Sequence, residues 1–426
     1  MRKMVIVSLD AMFDQDWAYY EGRWLGDWLN AAAVCTQIKT VFPALTYPAH
    51  TTLLTGCMPD QHGIGQNQPF QPGKEAVMRS WYWDESEVQR ETLFKAVKRQ
   101  GGRCASMLWP VTGKSRAIRW NFPEVLALPG ENQVLKMLQY GSAPWILHME
   151  LKHGRERVST HEPHLSDYAV TLACDVIRAH QPELTAVHLV DVDEMRHLYG
   201  VNSDEARQGM DRMEQRVQRI WDTMQQTTGM EDALLVLVSD HGQADVNRTV
   251  EIGEALQNAG MRAGVQSNGM TAYLFTEDAQ TVAAFLNENR KNMGICHIYD
   301  RQELDSLGCI PGPALAVEAA PGIVFADGLP QAKREKATHG FGPGHPAENC
   351  LLAVRGKGIR PCALPSMPMQ DVAPTLAGLM GIDLPQAVGI SHAKDVEMGE
   401  KWGNIANLYQ KSKQKWDLCA KNVKKV

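Results

Sequence analysis

Short apolar runs punctuate the chain at 4–9, 103–108, 185–190, 233–238 and 351–354. Each is four to six residues long, the length of a buried strand rather than of a helix. Between them, apolar positions recur at three- and four-residue intervals over 91–99, 167–180 and 204–226, the spacing of a helix with one buried face. Such alternation predicts an α/β fold with an open, mostly parallel sheet sandwiched by helices.

Residues 249–330 break this rhythm. A strand is expected at 270–276, a helix at 278–291 and a further strand at 296–299, ahead of the Pro/Gly-rich 310–313. This segment reads as a small α+β cap inserted between the fourth and fifth core strands, leaving 1–248 and 331–395 as the core. The tryptophan-containing stretch 109–166 has weak periodicity and reads as a second insertion. Residues 371–381 read as a closing helix, and the basic 396–426 as a solvated terminal helix or tail.

Composition acts mainly by exclusion. The 426 residues are 44% hydrophobic and 22% charged, which suits a large core and not a disordered chain. Lys and Arg total 43 against 49 Asp and Glu, a net charge of −6. That mild acidic excess argues against a nucleic-acid polymer as partner. A small anionic substrate needs only local positive charge. The nine cysteines are scattered and never spaced Cys-x-x-Cys, which fits reduced thiols rather than a disulfide framework. The run at 4–9 is too short for a signal-peptide core, and no stretch approaches the ~20 apolar residues of a membrane span. The expectation is a soluble cytoplasmic protein with no membrane partner.

Three of the expected strands end in carboxylates: Ser8-Leu9-Asp10, Asp191-Val192-Asp193 and Ser239-Asp240-His241. In open α/β sheets ligands bind beyond the carboxyl ends of the strands. One such Asp is ordinarily a turn former or helix cap. Three of them, two with a His within four residues, point to a site. Asp193 and His197 stand one helical turn apart, so both can face one ion. His339 precedes the last core strand, and His345 follows six residues later. Taken singly, each His reads as a hydrogen-bonded structural residue. Together, mixed imidazole and carboxylate donors suit zinc better than Mg2+ or Ca2+. Seven donors also exceed what one tetrahedral ion takes. Thr46 lies in Pro43-Ala44-Leu45-Thr46-Tyr47-Pro48-Ala49-His50, a Pro-punctuated loop ahead of an expected helix start at 49–54. Free N–H groups at a helix start favour an anion. Thr46 is therefore either a helix cap or a nucleophile that a divalent metal activates.

These residues carry a resemblance. Asp10, Leu45 to His50, Met58-Pro59-Asp60-Gln61-His62-Gly63-Ile64, Asn67, Asp193-x-x-x-His197, Ser239-Asp240-His241-Gly242 and Thr338-His339-Gly340-Phe341 occur in one order along nearly the whole chain. The set resembles the alkaline phosphatase superfamily and, within it, the type I phosphodiesterase/nucleotide pyrophosphatase family. The resemblance implies two zinc ions per chain. Asp193, His197 and His339 would hold one; Asp10, Asp240, His241 and the Thr46 oxygen would hold the other. It further implies Thr46 as the nucleophile of a covalent phospho-threonine route. Asn67 would be a donor to a non-bridging phosphoryl oxygen, a role that spacing alone does not assign. The implied activity is hydrolysis of phosphodiester or pyrophosphate bonds in a small phosphate-ester substrate.

The resemblance has departures. Leu45 and Ala49 stand where the family commonly has Lys and Asn, and Gly340-Phe341-Gly342-Pro343-Gly344-His345-Pro346 is closer to phosphonoacetate hydrolases. That ending makes His345 a rival ligand. The alternatives are a C–P hydrolase or a phosphomonoesterase on the same scaffold, the latter with Arg196 as a cation for the extra charge, or a zinc-binding protein without activity. Trp81, Trp83, Trp109 and Trp120 are either core residues or surfaces on which a leaving group stacks.

Overall fold

The computed structural model describes residues 1–328 and 335–399. Nearly all of the expected terminal helix or tail therefore lies outside the described residues. The strands in chain order begin with β1 (Met4–Leu9), β2 (Ala33–Lys39), β3 (Cys104–Met107), β4 (Ile118–Phe122), β5 (Leu184–Leu189) and β6 (Leu234–Val238). A second group follows: β7 (Ala244–Glu251), β8 (Gly264–Ser267), β9 (Thr271–Phe275), β10 (Ile295–Tyr299), β11 (Leu315–Ala319), β12 (Gly322–Ala326) and β13 (Ala337–Thr338). The chain closes through β14 (Asn349–Arg355), β15 (Cys362–Ala363) and β16 (Met367–Pro368).

The main sheet has the order β15-β2-β14-β6-β1-β5-β3-β4, with β16 also on β2. Its pairings are parallel except those of β14, which runs antiparallel to both neighbours. The central strand β1 is buried along its whole length and feeds two cores by alternation. Val5, Val7 and Leu9 pack with Met213, Val217 and Ile220 of the Asp204–Gln226 helix. Met4 and Ile6 face the other side, with Leu53 of the Thr46–Thr55 helix, Phe94 of Leu93–Arg99 and Leu376 of Val372–Met380. Cutting one such leucine to alanine would cost about 2–5 kcal/mol.

The apolar runs expected as strands appear as β1, β3, β5, β6 and β14, and the expected helices as Leu93–Arg99, His164–His180 and Asp204–Gln226. The stretch at 109–166 is not wholly an insertion, because β4 within it extends the main sheet alongside β3. Arg119 and Asn121 interrupt its apolar pattern and mask the strand. In the segment 249–330, β10-β11-β9-β8 form one antiparallel sheet, while β12 joins a second sheet with β7 and β13, which lie mostly or wholly outside the segment. This region is tied to the main sheet's loops. Phe42 contacts Tyr299 and Tyr273 at 5.0 and 6.3 Å between ring centroids, and Met270 N donates to His339 O at 2.8 Å.

Topology fixes where chemistry collects. β1, β2, β5 and β6 run the same way, so Asp10, the Thr46 loop, Asp193 and Asp240-His241 all follow strands at one edge. Because β14 runs the other way, its start lies at that edge, and His339 reaches the same place by preceding its strand.

Candidate active site

Thr46 is the first residue of a ten-residue helix, after Leu45 in an extended conformation. Pro48 suggests a loop in the sequence, but proline is tolerated in a first helical turn, where N–H groups have no partner within the helix. The helix ends at Gly56, whose positive φ closes it and sends the chain onward. Asp193 and His197 lie on the Asp191–Tyr199 helix directly after β5, which puts both on one face. Gly340, next to His339, has no room for a side chain, since a Cβ there would sit 1.5 Å from Asn268 O.

The side chains converge. His241 Nε2 lies 3.2 Å from Thr46 Oγ1, 3.1 Å from Asp240 Oδ2 and 3.7 Å from Asp10 Oδ1. Asp193 Oδ2 is 3.4 Å from His197 Nε2, and its Oδ1 is 3.9 Å from His339 Nε2. The His241 and His339 rings stack at 3.9 Å. Two groups could each hold an ion: Asp193, His197 and His339, and Asp10, Asp193 and His241, with ligand atoms within 4.8 Å of one another. Asp193 is thus shared between the groups, while Asp240 joins through His241. His345 is in neither group: it stacks on Phe341 at 4.1 Å and accepts from Ala347 N at 3.2 Å.

The histidines are oriented for ligation by backbone carbonyls. His197 Nδ1 meets Ala337 O at 2.9 Å, and His339 Nδ1 meets Ala44 O at 3.1 Å. A carbonyl only accepts, so each Nδ1 carries the proton and each Nε2 presents its lone pair to the site. Asp10 Oδ1 and Asp240 Oδ2 are buried and receive no hydrogen bond. Those are the two carboxylate oxygens that face His241 Nε2. A buried anion left without a partner is costly, and a divalent cation among these donors removes the cost. The residues therefore fit a metal pair.

The electrostatics agree. Burial and the nearby Asp193 charge push the Asp10 carboxyl up to about 6. Burial and Asp10 raise Asp240 well above the carboxylate range. Burial also opposes the ionisation of Asp193, but His197 and His339 outweigh it and hold that carboxyl low. His339 is pushed down to about 4 by burial and by His197. Asp10 and Asp240 are thus forced to choose between crowding and protonation, a strain that bound cations would relieve.

Sequence reasoning missed His188 and Gln243 and gave His50, though part of the quoted motif, no role. His188, buried inside β5, contacts Asp10 Oδ2 at 2.8 Å through Nε2 and Leu108 O at 3.1 Å through Nδ1. His50 bridges Ser8 Oγ and Thr46 O, each at 2.8 Å. Gln243 Nε2 donates to Asp193 Oδ1 at 2.5 Å. The available signal for His188 was a polar residue inside an otherwise apolar strand. Asn67 Oδ1 accepts from Tyr47 N at 3.0 Å, which leaves its Nδ2 as the end to offer a ligand. His62 of the third motif is structural, contacting Thr52 Oγ1 at 3.0 Å. Arg196 does not serve as a cation for substrate. It is fully buried and forms a bidentate pair with Asp16, with one arm at 2.6 Å. That pair ties the Asp193/His197 helix to the loop after β1.

A cavity of about 590 Å3 opens beside Asn67, His197 and His339. Trp81 and Trp83 line it. Trp109 is instead packed edge-on against His50 at 4.9 Å, and Trp120 stacks on His180 at 4.5 Å.

Comparisons with known proteins bear on the family and the fold. A sequence model of the type I phosphodiesterase / nucleotide pyrophosphatase family matches residues 24–318. Human ectonucleotide pyrophosphatase/phosphodiesterase family member 1 is 23% identical over 220 residues, 48% of this chain and 19% of that protein. The Caenorhabditis elegans ectonucleotide pyrophosphatase/phosphodiesterase C27A7.3 is 24% identical over 276 residues, 63% of this chain and 32% of that protein. The chain thus matches about a fifth and about a third of the length of these two relatives. Among solved structures, murine ectonucleotide pyrophosphatase/phosphodiesterase 5 superposes with a TM-score of 0.70 at 16% identity, over 93% of this chain and 100% of that one. The human counterpart gives 0.68, over 93% and 99%. These likenesses establish an alkaline phosphatase-like fold. With the family match across most of its length, the chain belongs to the type I phosphodiesterase/nucleotide pyrophosphatase family of the alkaline phosphatase superfamily.

Proposed function

We propose that the chain is a zinc-dependent hydrolase of phosphodiester or pyrophosphate bonds in small nucleotide-type esters, acting through a covalent phospho-threonine on Thr46. One observation carries this reading. Thr46 Oγ1, Asp10 Oδ1 and Asp240 Oδ2 surround His241 Nε2, and both carboxylate oxygens are buried without a hydrogen bond. Such a donor set suits a borderline divalent cation.

Asp193, His197 and His339 would hold one zinc ion; Asp10, Asp240 and His241, with Thr46 Oγ1, would hold the other. Bound there, the pair supplies Lewis acidity that favours an ionised hydroxyl and neutralises phosphoryl charge. Thr46 gives its hydroxyl proton to solvent and forms its Oγ1–P bond as the bond to the leaving oxygen breaks, and the leaving oxygen takes up a proton from solvent water in return. Asn67 donates from Nδ2 to a non-bridging oxygen, where charge builds up. Water then attacks the same phosphorus opposite Oγ1, the P–Oγ1 bond breaks, and a proton from that water restores the Thr46 hydroxyl. The eight described cysteines are all unpaired, which supports a reducing, cytoplasmic setting.

Two findings favour a diester over a monoester. Arg196 is sealed with Asp16 and cannot serve the extra charge of a monoester, and a cavity lined in part by Trp81, Trp83 and Leu126 lies beside the site to receive a second ester group. The test is a hydrolysis panel on zinc-loaded protein: a nucleotidyl aryl diester, a bis-aryl phosphate, an aryl phosphate, phosphonoacetate and an aryl sulfate. The diesters should show the highest kcat/KM. Preference for the monoester or for phosphonoacetate would replace this reading with the corresponding alternative.

A further inference from the structure

Arg196 precedes His197 on the Asp191–Tyr199 helix and is among the largest fully buried side chains. Its guanidinium grips the loop after β1 at two places. Nη2 donates to Asp16 Oδ1 at 2.6 Å, and Nη1 donates to Asp16 Oδ2 at 3.1 Å and to the Ala11 carbonyl. Nε donates to Val201 O at 3.3 Å, just past the end of the helix. Asp16 is itself held, since its Oδ2 accepts from Phe13 N at 2.9 Å.

Ala11 joins this grip to the other side of the site. It follows Asp10 directly, and its N–H donates to Asp240 Oδ1 at 3.2 Å while its carbonyl accepts from Arg196. Asp10 and Asp240 face His241, whereas Arg196 adjoins His197 of the other ligand group. One alanine therefore links the two groups, through contacts that span 185 and 229 residues of chain.

The link carries strain. Ala11 has a φ of 59°, in the left-handed region that a residue with a Cβ rarely adopts. Such a conformation persists only where the surroundings over-determine it. Here both backbone groups of Ala11 are fixed, one by Asp240 and one by Arg196. Stability alone does not account for the ion pair. Burying both charges is costly, and a well-packed apolar pair of similar volume is commonly as stable. An apolar pair cannot hold a carbonyl and a carboxylate in set directions, which the planar guanidinium does.

We propose that Arg196 is a positioning residue that, through Ala11, sets the spacing between the Asp193, His197 and His339 group and the Asp10, Asp240 and His241 group. Without its guanidinium the Ala11 backbone is free to leave the left-handed region. Asp10 and Asp240 then shift against the helix that carries Asp193 and His197. Metal ligands work only within about 0.5 Å of their required places, so a small shift between the groups weakens the binding of an ion pair. This inference rests on the proposed two-ion reading of the site.

The test separates positioning from stability with the double variant Arg196→Met/Asp16→Leu, which removes both charges and keeps the volume filled. Zinc affinity is titrated against a chromophoric chelator. Unfolding temperature is measured with zinc and with chelator, and kcat and KM are measured for a nucleotidyl aryl diester on loaded protein. We expect the double variant to recover most of the metal-free unfolding temperature of the wild type. Its zinc binding should nevertheless be weaker by about ten- to a hundredfold, and the temperature gained on adding zinc should shrink with it. Turnover should fall in kcat with KM little changed. Arg196→Lys keeps the charge but offers a single nitrogen, which cannot hold both Asp16 oxygens and Ala11 O as the guanidinium does, so its zinc affinity should fall in the same direction. Wild-type zinc affinity in the double variant, or in Arg196→Lys if the double variant does not fold, would overturn the inference and leave the two-ion reading intact. A wild-type chain that binds no zinc would overturn both. If the wild type binds zinc but cleaves no diester, the affinity losses still support the positioning role while the hydrolytic reading falls.

Discussion

Thr46 Oγ1 and His241 Nε2 lie 3.2 Å apart across 195 residues of chain. β2 and β6 deliver them to one edge with β14 between. The same nitrogen faces carboxylate oxygens of Asp240 and Asp10. The Thr46 hydroxyl can donate to this nitrogen, but the two carboxylate oxygens receive no hydrogen bond, and a positive charge standing among these donors would satisfy them, which defines the chemistry expected of the site.

Metal content follows first. Protein prepared without chelator should contain close to two zinc ions per chain by elemental analysis. Chelation should abolish turnover and lower the unfolding temperature, because the buried Asp10 and Asp240 carboxyls then crowd one another and the ion's binding free energy is lost. Asp240→Asn should lose one ion and reduce kcat by orders of magnitude while the chain remains folded.

His188 is expected to act through Asp10, which it holds at 2.8 Å from the other side. His188→Leu should weaken zinc binding by about ten- to a hundredfold. A competition titration against a chromophoric chelator reads this directly. Unchanged affinity would show that Asp10 needs no such support.

The buried Arg196–Asp16 pair predicts a large and asymmetric stability effect. Arg196→Met leaves Asp16 charged and buried, and should cost about 3–5 kcal/mol in urea unfolding of the metal-loaded protein. Pairing it with Asp16→Leu should recover much of that loss, since the uncompensated charge is gone.

Glu162 predicts a pH dependence away from the site. Burial pushes its carboxyl up to about 7 from an ordinary 4.5. The folded chain thus binds a proton more tightly than the unfolded chain. Its stabilising contribution is complete below about 4.5 and is lost as pH rises through about 7. Glu162→Gln should therefore gain unfolding temperature relative to wild type at pH 8 and gain little at pH 4. Equal differences at both pH values would contradict this.

Much of the architecture was legible because buried parallel strands write themselves as uninterrupted apolar runs, and β1, β5 and β6 each end at a carboxylate. β2 was not legible: Thr36, Gln37 and Lys39 break its pattern where side chains reach partly exposed surface. The direction of β14 was also hidden, since a short apolar run has no polarity, and only pairing with β6 and β2 fixes it. At the site, ligand candidates were legible as polar residues at strand ends. Their supports were not, because His188 reads as core and Gln243 as a turn residue until the fold brings them to Asp10 and Asp193.

The central claim is that Thr46 is the nucleophile, and turnover of its variants tests that most directly. Steady-state hydrolysis of a nucleotidyl aryl diester should be measured for zinc-loaded wild type, Thr46→Ser and Thr46→Ala, with zinc content verified in each. The account predicts that Thr46→Ala loses about a thousandfold or more in kcat, while Thr46→Ser keeps a measurable fraction because its hydroxyl can still attack phosphorus. Near wild-type turnover by fully zinc-loaded Thr46→Ala would contradict it, and attack would then have to come from water alone.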